Sequence, residues 1–60
     1  MTPEELVAWR KERKITQGEL AQLLGVGMIT ISRWERGVQT MSPLLPLALE
    51  ALEHRMEGGR

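Results

Sequence analysis

TQGELAQLLGVGMITISRWERG, residues 16–37, is typical of a helix, a tight turn and a second helix. Thr16 is a good N-cap residue, and Glu19 follows it at the three-residue spacing of a capping box. Apolar residues then recur at helical spacing as far as Gly25, which ends the helix because glycine adopts the left-handed conformation without a Cβ penalty. The second helix spans residues 28–36. Two short helices joined by three or four residues that include a glycine form a helix-turn-helix.

The same stretch contains the pattern Thr16-Gln17-x-x-Leu20-Ala21-x-x-x-Gly25-Val26-x-x-x-x-Ile31-Ser32-Arg33-Trp34-Glu35-x-Gly37. This pattern resembles the Cro/lambda-repressor-like (XRE-type) helix-turn-helix family of phage and bacterial regulators. With the flanking helices, the resemblance covers nearly the whole chain. It implies a small all-α domain of four or five helices that binds double-stranded DNA, and it does not indicate the operator. The four main helices are predicted at about residues 3–13, 17–24, 28–36 and 43–57.

Length and composition limit the class of protein. Sixty residues predict one helix-turn-helix domain, residues 1–60, whose small core buries roughly 60% of the unfolded surface. The absence of cysteine excludes a disulfide framework or thiolate zinc site and favours a reducing cytoplasmic location, associated with the nucleoid. No apolar run approaches the ~20 residues of a membrane span. The chain has no Phe or Tyr and few β-branched runs, which argues against β-sheets.

The formal net charge is zero, which does not favour DNA binding. The distribution of charge is uneven, however, and we expect one basic and one acidic face, with an ordinary solvated mixture as the alternative. The basic residues in or beside the first three helices are Arg10, Lys11, Arg13, Lys14, Arg33 and Arg36, and the acidic residues of the last helix are Glu50, Glu53 and Glu57.

The first helix begins with a strong signal. TPEE at residues 2–5 combines an N-cap, a proline at the first helical position and the glutamate of a capping box. The inward stripe of this helix includes Arg10, and a buried unpaired charge is costly. The resemblance implies that an Arg at this position pairs with a Glu near the end of the recognition helix, and Arg10 and Glu35 match both positions. We therefore predict a structural ion pair between them. The alternative is that both charges are exposed to solvent and contribute little to the stability of the fold.

The last helix is expected to start with Ser42 as N-cap and Pro43 at its first position. Because Pro46 lacks an N–H group, the regular helix is expected to begin nearer that residue. The apolar stripe that follows is too wide to bury completely against three short helices. We predict that the surplus forms a homodimer interface. The residues assigned to this interface are Leu44, Leu45, Leu49, Leu52 and Met56.

The resemblance also implies which residues touch DNA. A recognition helix enters the major groove with its outer, N-terminal face, and the spacing of Ile31 and Trp34 turns both of them inward. Arg33 can form a bidentate pair with guanine, Ser32 lies near the base-contacting positions, and Gln17 matches a family position set against a phosphate. The predicted base contacts are Gly27, Met28, Ile29, Ser32 and Arg33, and the predicted phosphate contacts are Gln17, Arg36, Gln39 and Thr40.

The chain departs from the family pattern at the start of the recognition helix. Gly27 stands where a Ser or Thr cap is usual, and Met28 and Ile29 stand where polar base readers are usual. The apolar pair can pack on thymine methyl groups, which is a form of direct readout. Contact with a protein, or no role at all, are the alternatives.

Other candidate sites are weaker. Trp9 and Trp34 lie at inward spacing, so core packing is favoured over stacking on bases. His54 has Glu50 and Glu57 one turn away on either side, but no second His or Cys supports a metal site, and a solvated helix face is the better interpretation. No catalytic triad or phosphate-binding glycine loop can be assembled. We predict no metal, no cofactor and no enzymatic activity.

These patterns favour a sequence-specific, double-stranded DNA-binding transcription regulator, a phage or bacterial repressor that binds a palindromic operator as a homodimer. One recognition helix reads too few bases for useful specificity against a genome, which is the reason to expect two copies. The alternatives are an antitoxin-type regulator, or a protein-interaction module that uses the leucine-rich last helix. Either alternative implies a protein partner at that helix.

Overall fold

The computed structural model describes the backbone of residues 1–58 and the side chains of residues 1–56. Within that part the chain forms four α-helices and no strand, which confirms the all-α prediction. The helices are α1 (Pro3–Glu12), α2 (Gln17–Leu24), α3 (Met28–Arg36) and α4 (Leu45–Gly58).

Both predicted capping boxes are present. The Thr2 hydroxyl accepts a hydrogen bond from the Glu5 N–H at 3.1 Å, and the Glu5 carboxylate accepts one from the Thr2 N–H at 2.7 Å. Thr16 and Glu19 repeat the arrangement at 3.1 and 2.8 Å. Each box satisfies N–H groups that the first helical turn leaves without a partner, so the starts of α1 and α2 are set locally.

The ends of the first three helices use left-handed residues. Gly25 and Gly37 both have φ of 73°, as expected of glycine at these positions. α1 ends at Glu12, one residue before the predicted end, because Lys14 adopts a φ of 57° and turns the chain. The N–H of Ile15 then donates to the Arg10 carbonyl at 3.2 Å, which closes the helix.

α4 begins at Leu45, two residues after the predicted start at Pro43 and one residue before Pro46, near which the regular helix was expected to begin. The Ser42 hydroxyl accepts a hydrogen bond from the Leu44 N–H at 3.1 Å, and the Ser42 carbonyl accepts one from the Leu45 N–H at 3.0 Å. These two bonds hold residues 42–45 in a turn. Pro46 therefore falls in the first helical turn, where its missing N–H costs nothing.

The core joins all four helices, and α4 supplies three of its members. Leu45, Leu49 and Leu52 are 3%, 1% and 5% exposed, because their spacing places them on the stripe of α4 that faces α1–α3. The prediction that these three leucines form a dimer interface is wrong, because their side chains are already buried within one chain. Of the predicted interface only Leu44 and Met56 are exposed. The other core residues are Leu6, Leu20, Ala21, Ile31 and Trp34.

Arg13 connects α1 to α4 rather than adding to a free basic face. Its guanidinium lies 4.2 Å from the centre of the Trp9 ring, forms an ion pair with Glu53 and donates to the Trp9 carbonyl at 2.9 Å. Trp9 is half-buried against the core, as its spacing predicted. The expected separation of charge is thus bridged at this point, where the basic residue directly after α1 meets an acidic residue of α4.

Candidate nucleic-acid interface

The outward side of α3 is open along its first two turns. Met28 is 57% and Ile29 63% exposed, Arg33 is exposed, and Ser32 is partly exposed. Gly27 precedes them as an exposed N-cap residue. The structure therefore places all five predicted base-contacting residues within or directly before α3, with Ser32 partly exposed and the other four exposed.

The inward side of α3 carries Ile31 and Trp34, which are 0% and 8% exposed. The indole N–H of Trp34 is buried without an acceptor among the described residues, so Trp34 contributes apolar packing rather than a polar contact. Ala21, 4% exposed, is a core residue of the neighbouring α2. These contacts hold α3 against the rest of the molecule and decide which side faces solvent.

A three-residue hydrogen-bond network ties α3 to α1 and α2. Arg10 donates from Nε to Glu35 Oε2 at 2.7 Å and from Nη2 to Glu35 Oε1 at 2.9 Å, which is a bidentate pair. The Arg10 and Glu35 side chains are only 14% and 6% exposed. Arg10 also donates from Nη1 to the Ile15 carbonyl at 3.1 Å, so three of its five N–H groups bond within the scaffold.

Gln17 completes the network. Its side-chain amide donates to Glu35 Oε1 at 3.0 Å. The sequence assigned Gln17 to a phosphate and did not indicate this contact, because Gln17 and Glu35 are 18 positions apart. An amide nitrogen has two N–H groups, so one N–H can serve Glu35 while the other remains for a phosphate.

The comparison with known families matches this geometry. Residues 6–52 fit the model of a family described as helix-turn-helix. The chain belongs to the lambda-repressor-like (XRE-type) helix-turn-helix family. Because this family is one of DNA-binding transcription regulators, the chain is a DNA-binding regulatory domain. Searches of curated proteins and of solved structures gave no match.

Within this helix-turn-helix, α2 and α3 are the two helices of the motif and α3 is the recognition helix. The phosphate-contact candidates lie at its two flanks. Gln17 stands at the amino end of α2, whereas Arg36, Gln39 and Thr40 are exposed at and beyond the end of α3. The two groups are separate in the chain, and Gln17 shares a groove with Met28 at the start of α3.

Two further basic residues face solvent beside Gln17. Lys11 and Lys14 are exposed and line an open groove of about 590 Å³ that also includes Gln17, Gly18 and Met28. Their proximity depends on the left-handed turn at Lys14, a conformation that Lys rarely adopts. The sequence pattern therefore did not predict that these lysines lie next to the recognition helix.

Neither a metal site nor a membrane helix is present in the described residues. No group of three His, Cys, Asp or Glu side chains lies close enough together to hold a metal ion. His54 is exposed on α4, and the Glu57 side chain lies outside the described part. No helix there is long and apolar enough to span a bilayer.

The network shifts the pKa values of both charged partners. Hydrogen bonding to Glu35 raises the pKa of Arg10, and burial opposes this effect. Burial raises the pKa of Glu35, but the hydrogen bonds from Arg10 and Gln17 and the charges of Arg10 and Lys11 together outweigh it. The net pKa of Glu35 is therefore lower than that of an ordinary glutamate.

This direction predicts how stability depends on pH. A carboxylate with a lowered pKa in the folded state stabilises the fold fully above the unfolded pKa of about 4.3. That contribution is lost as the pH falls through the folded pKa of Glu35. We expect the free energy of unfolding, measured with urea, to be level above about pH 5 and to fall below it. In Glu35→Gln the free energy of unfolding should fall less steeply below about pH 5 than in the wild-type chain. Glu12→Gln, at an exposed position of α1, should show the same fall as the wild-type chain.

Proposed function

We propose that the chain is a sequence-specific repressor that binds a palindromic operator in double-stranded DNA as a homodimer. The observation that carries the proposal is the recognition helix itself. Its N-terminal residues are exposed while the Arg10–Glu35–Gln17 network clamps its other side. A reading surface on a rigid support is what direct readout in the major groove requires.

The exposed side chains suit a mixed readout of bases. Arg33 can donate two hydrogen bonds to O6 and N7 of a guanine, and Ser32 can bond a base or a phosphate. Met28 and Ile29 offer apolar surface to the C5-methyl groups of thymines. Gly27 has no side chain, so the DNA can approach the start of α3 closely. We therefore expect an operator half-site that combines a guanine with neighbouring thymines.

The flanking residues suit contacts with the DNA backbone. Gln17, Lys11 and Lys14 would meet one phosphate strand, and Arg36, Gln39 and Thr40 the other. Such contacts set the position of the protein on DNA without reading sequence. They also make affinity fall with salt, because each neutralised phosphate releases counterions.

Two copies would read two half-sites. A two-fold dimer places its recognition helices about one helical turn, ~34–36 Å, apart on the same side of DNA. Because the operator then mirrors the symmetry of the protein, the bound sequence should be a palindrome. Selection from a random duplex pool, with the mass of the complex measured on the same sample, tests both features. A selected site with no inverted repeat, or a single chain per duplex, would contradict the homodimer.

Arg33→Ala is expected to weaken binding to the selected duplex by about 1–3 kcal/mol and to relax the preference at one base pair. Arg36→Ala should instead weaken binding to all sequences alike and reduce the salt slope by about one. Arg55→Ala removes an exposed charge of α4 and serves as the matched control, with affinity and slope unchanged. Fluorescence-anisotropy titrations at several salt concentrations measure all three. Unchanged operator affinity in Arg33→Ala would remove Arg33 from the readout.

A protein-interaction module is the second candidate, and one observation favours it. The exposed leucines Leu44, directly before α4, and Leu47, within it, offer apolar surface to a partner such as the toxin bound by an antitoxin-type regulator. The salt titration separates a pure interaction module from a DNA-binding protein, since binding to DNA falls steeply with salt whereas the module gives a flat line. An antitoxin-type regulator would also bind DNA, so its test is the copurification of a partner. A partner that copurifies with the wild-type chain and is lost in Leu47→Glu would support the second candidate.

A further inference from the structure

The chain leaves α1 through a Schellman motif whose left-handed position carries a lysine. The Lys14 N–H donates to the Lys11 carbonyl at 3.0 Å, and the Ile15 N–H donates to the Arg10 carbonyl at 3.2 Å. These are the two hydrogen bonds that define the motif, and they require a left-handed conformation at the first residue beyond the helix cap. Lys14 adopts that conformation, with a φ of 57°.

The other two helix ends of this kind use glycine. α2 ends at Gly25 and α3 at Gly37, each with a φ of 73°. In the part of the chain that the structure describes, Lys14 is the one residue other than glycine with a positive φ. Because this conformation brings the Cβ of an L-residue close to the following carbonyl oxygen, Lys14 destabilises its own turn relative to glycine. Such an outlier points to a role for the side chain.

The motif carries Lys14 to the edge of the recognition helix. Lys14 lines the open groove that also includes Gln17 and Met28, the first residues of α2 and α3. Lys14 is exposed, and it forms no ion pair with any residue that the structure describes. Nothing in that part of the fold uses its charge, so the gain that offsets the strained backbone comes from outside the chain.

A side-chain contact ties the motif to the recognition helix. The Arg10 guanidinium donates to the Ile15 carbonyl at 3.1 Å and, through Nε and Nη2, to Glu35 of α3. The turn that carries Lys14 is therefore fixed by the same arginine that clamps α3. A cation held at a fixed place beside a recognition helix suits a phosphate of bound DNA, because backbone contacts set the position of a protein on the duplex.

We propose that Lys14 is a DNA-backbone anchor for which the fold gives up stability, its ammonium group binding a phosphate next to the one that Gln17 meets. The proposal rests on the proposed function only for its ligand, double-stranded DNA, and needs neither the operator nor the homodimer. The free protein carries the strain of the left-handed lysine. Bound DNA supplies the offsetting term, because the neutralised phosphate releases counterions.

Three substitutions at this position separate strain from charge. Lys14→Gly removes both, Lys14→Met removes the charge and keeps the strain, and Lys14→Arg keeps both. In the absence of DNA we expect the thermal unfolding midpoint of Lys14→Gly to rise by roughly 3–6 °C, since relief of the strain outweighs the greater flexibility of glycine in the unfolded chain. Neither Lys14→Met nor Lys14→Arg should show this rise. Gly25→Lys, which places a lysine at the left-handed end of α2, should lower the midpoint.

DNA binding should respond to the charge alone. At about 0.1 M salt, Lys14→Gly and Lys14→Met are expected to bind the selected duplex about fivefold more weakly, with a salt slope reduced by about one for each bound copy. A duplex of unrelated sequence should lose the same factor, because a phosphate contact does not read bases. Lys14→Arg should bind as the wild-type chain does. Arg55→Met, which removes an exposed charge of α4, is the matched control and should change neither affinity nor slope.

Each part of the proposal has a result that would overturn it. A midpoint of Lys14→Gly at or below that of the wild-type chain would show that the lysine stabilises its turn. An equal rise in Lys14→Met would trace the instability to repulsion between charges and not to the backbone. Unchanged affinity and salt slope in Lys14→Met would remove Lys14 from the phosphate contacts. None of these results touches the proposed function, whose failure would appear in the wild-type chain as the selection of no duplex at all.

Discussion

Arg10→Met is expected to lower the free energy of unfolding by about 3 kcal/mol, the lower end of the cost of removing one partner of a buried ion pair, because the pair is only partly buried. Glu35 is 6% exposed and would keep only the hydrogen bond from Gln17. The free energy of unfolding of a stable domain is about 0.05–0.15 kcal/mol per residue, or roughly 3–9 kcal/mol for a 60-residue chain. A loss of this size removes at least about a third of it. Urea titrations followed by circular dichroism at pH 7 measure the effect.

Lys11→Met is the matched control, because it removes the same charge one position along α1 at an exposed site. We expect it to change stability by no more than about 0.5 kcal/mol. Replacing both partners, as in Arg10→Met with Glu35→Leu, should recover much of the loss, since no charge is then left buried alone. Equal effects of Arg10→Met and Lys11→Met would show that the ion pair does not hold α3 in place.

Leu49→Ala is expected to cost about 2–5 kcal/mol of stability, the range for truncating a buried leucine. Leu49 is 1% exposed, and its side chain fills the space between α4 and the first three helices. Leu47→Ala, two positions away on the same helix and 63% exposed, should change the stability of the monomer by no more than about 0.5 kcal/mol. Thermal unfolding of dilute protein, in which pairing is negligible, compares the two.

The contrast decides what α4 is for. If Leu49 contacted a second subunit, its truncation would change the mass in solution and leave the monomer folded. We expect the reverse, in which Leu49→Ala destabilises the monomer and Leu47→Ala leaves its stability nearly unchanged. A folded Leu49→Ala variant with altered association would restore the interface that the sequence alone suggested.

The helix-turn-helix could be predicted because its signals are local. Thr16 and Glu19 bond across three residues, and Gly25 and Gly37 end their helices through their own backbone conformation. Such features need no distant partner, so the sequence is sufficient to place them. The Arg10–Glu35 contact was indicated by family resemblance, since no local rule joins residues 25 positions apart.

The side of α4 that packs into the core could not be predicted, because no local signal selects it. Leucines lie around much of its first turns, so periodicity does not distinguish the side that packs inward. Where the helix starts was equally open, since Ser42, Pro43 and Pro46 all allow a beginning.

The amino-acid order alone thus determines the helix-turn-helix and the side of α3 that faces solvent, because short-range hydrogen bonds and spacing set them. Packing of the assembled helices selects Leu45, Leu49 and Leu52 for the core and turns Gln17 toward Glu35. Those choices depend on side chains that are distant in the chain and meet only when α1, α2 and α3 enclose a common volume.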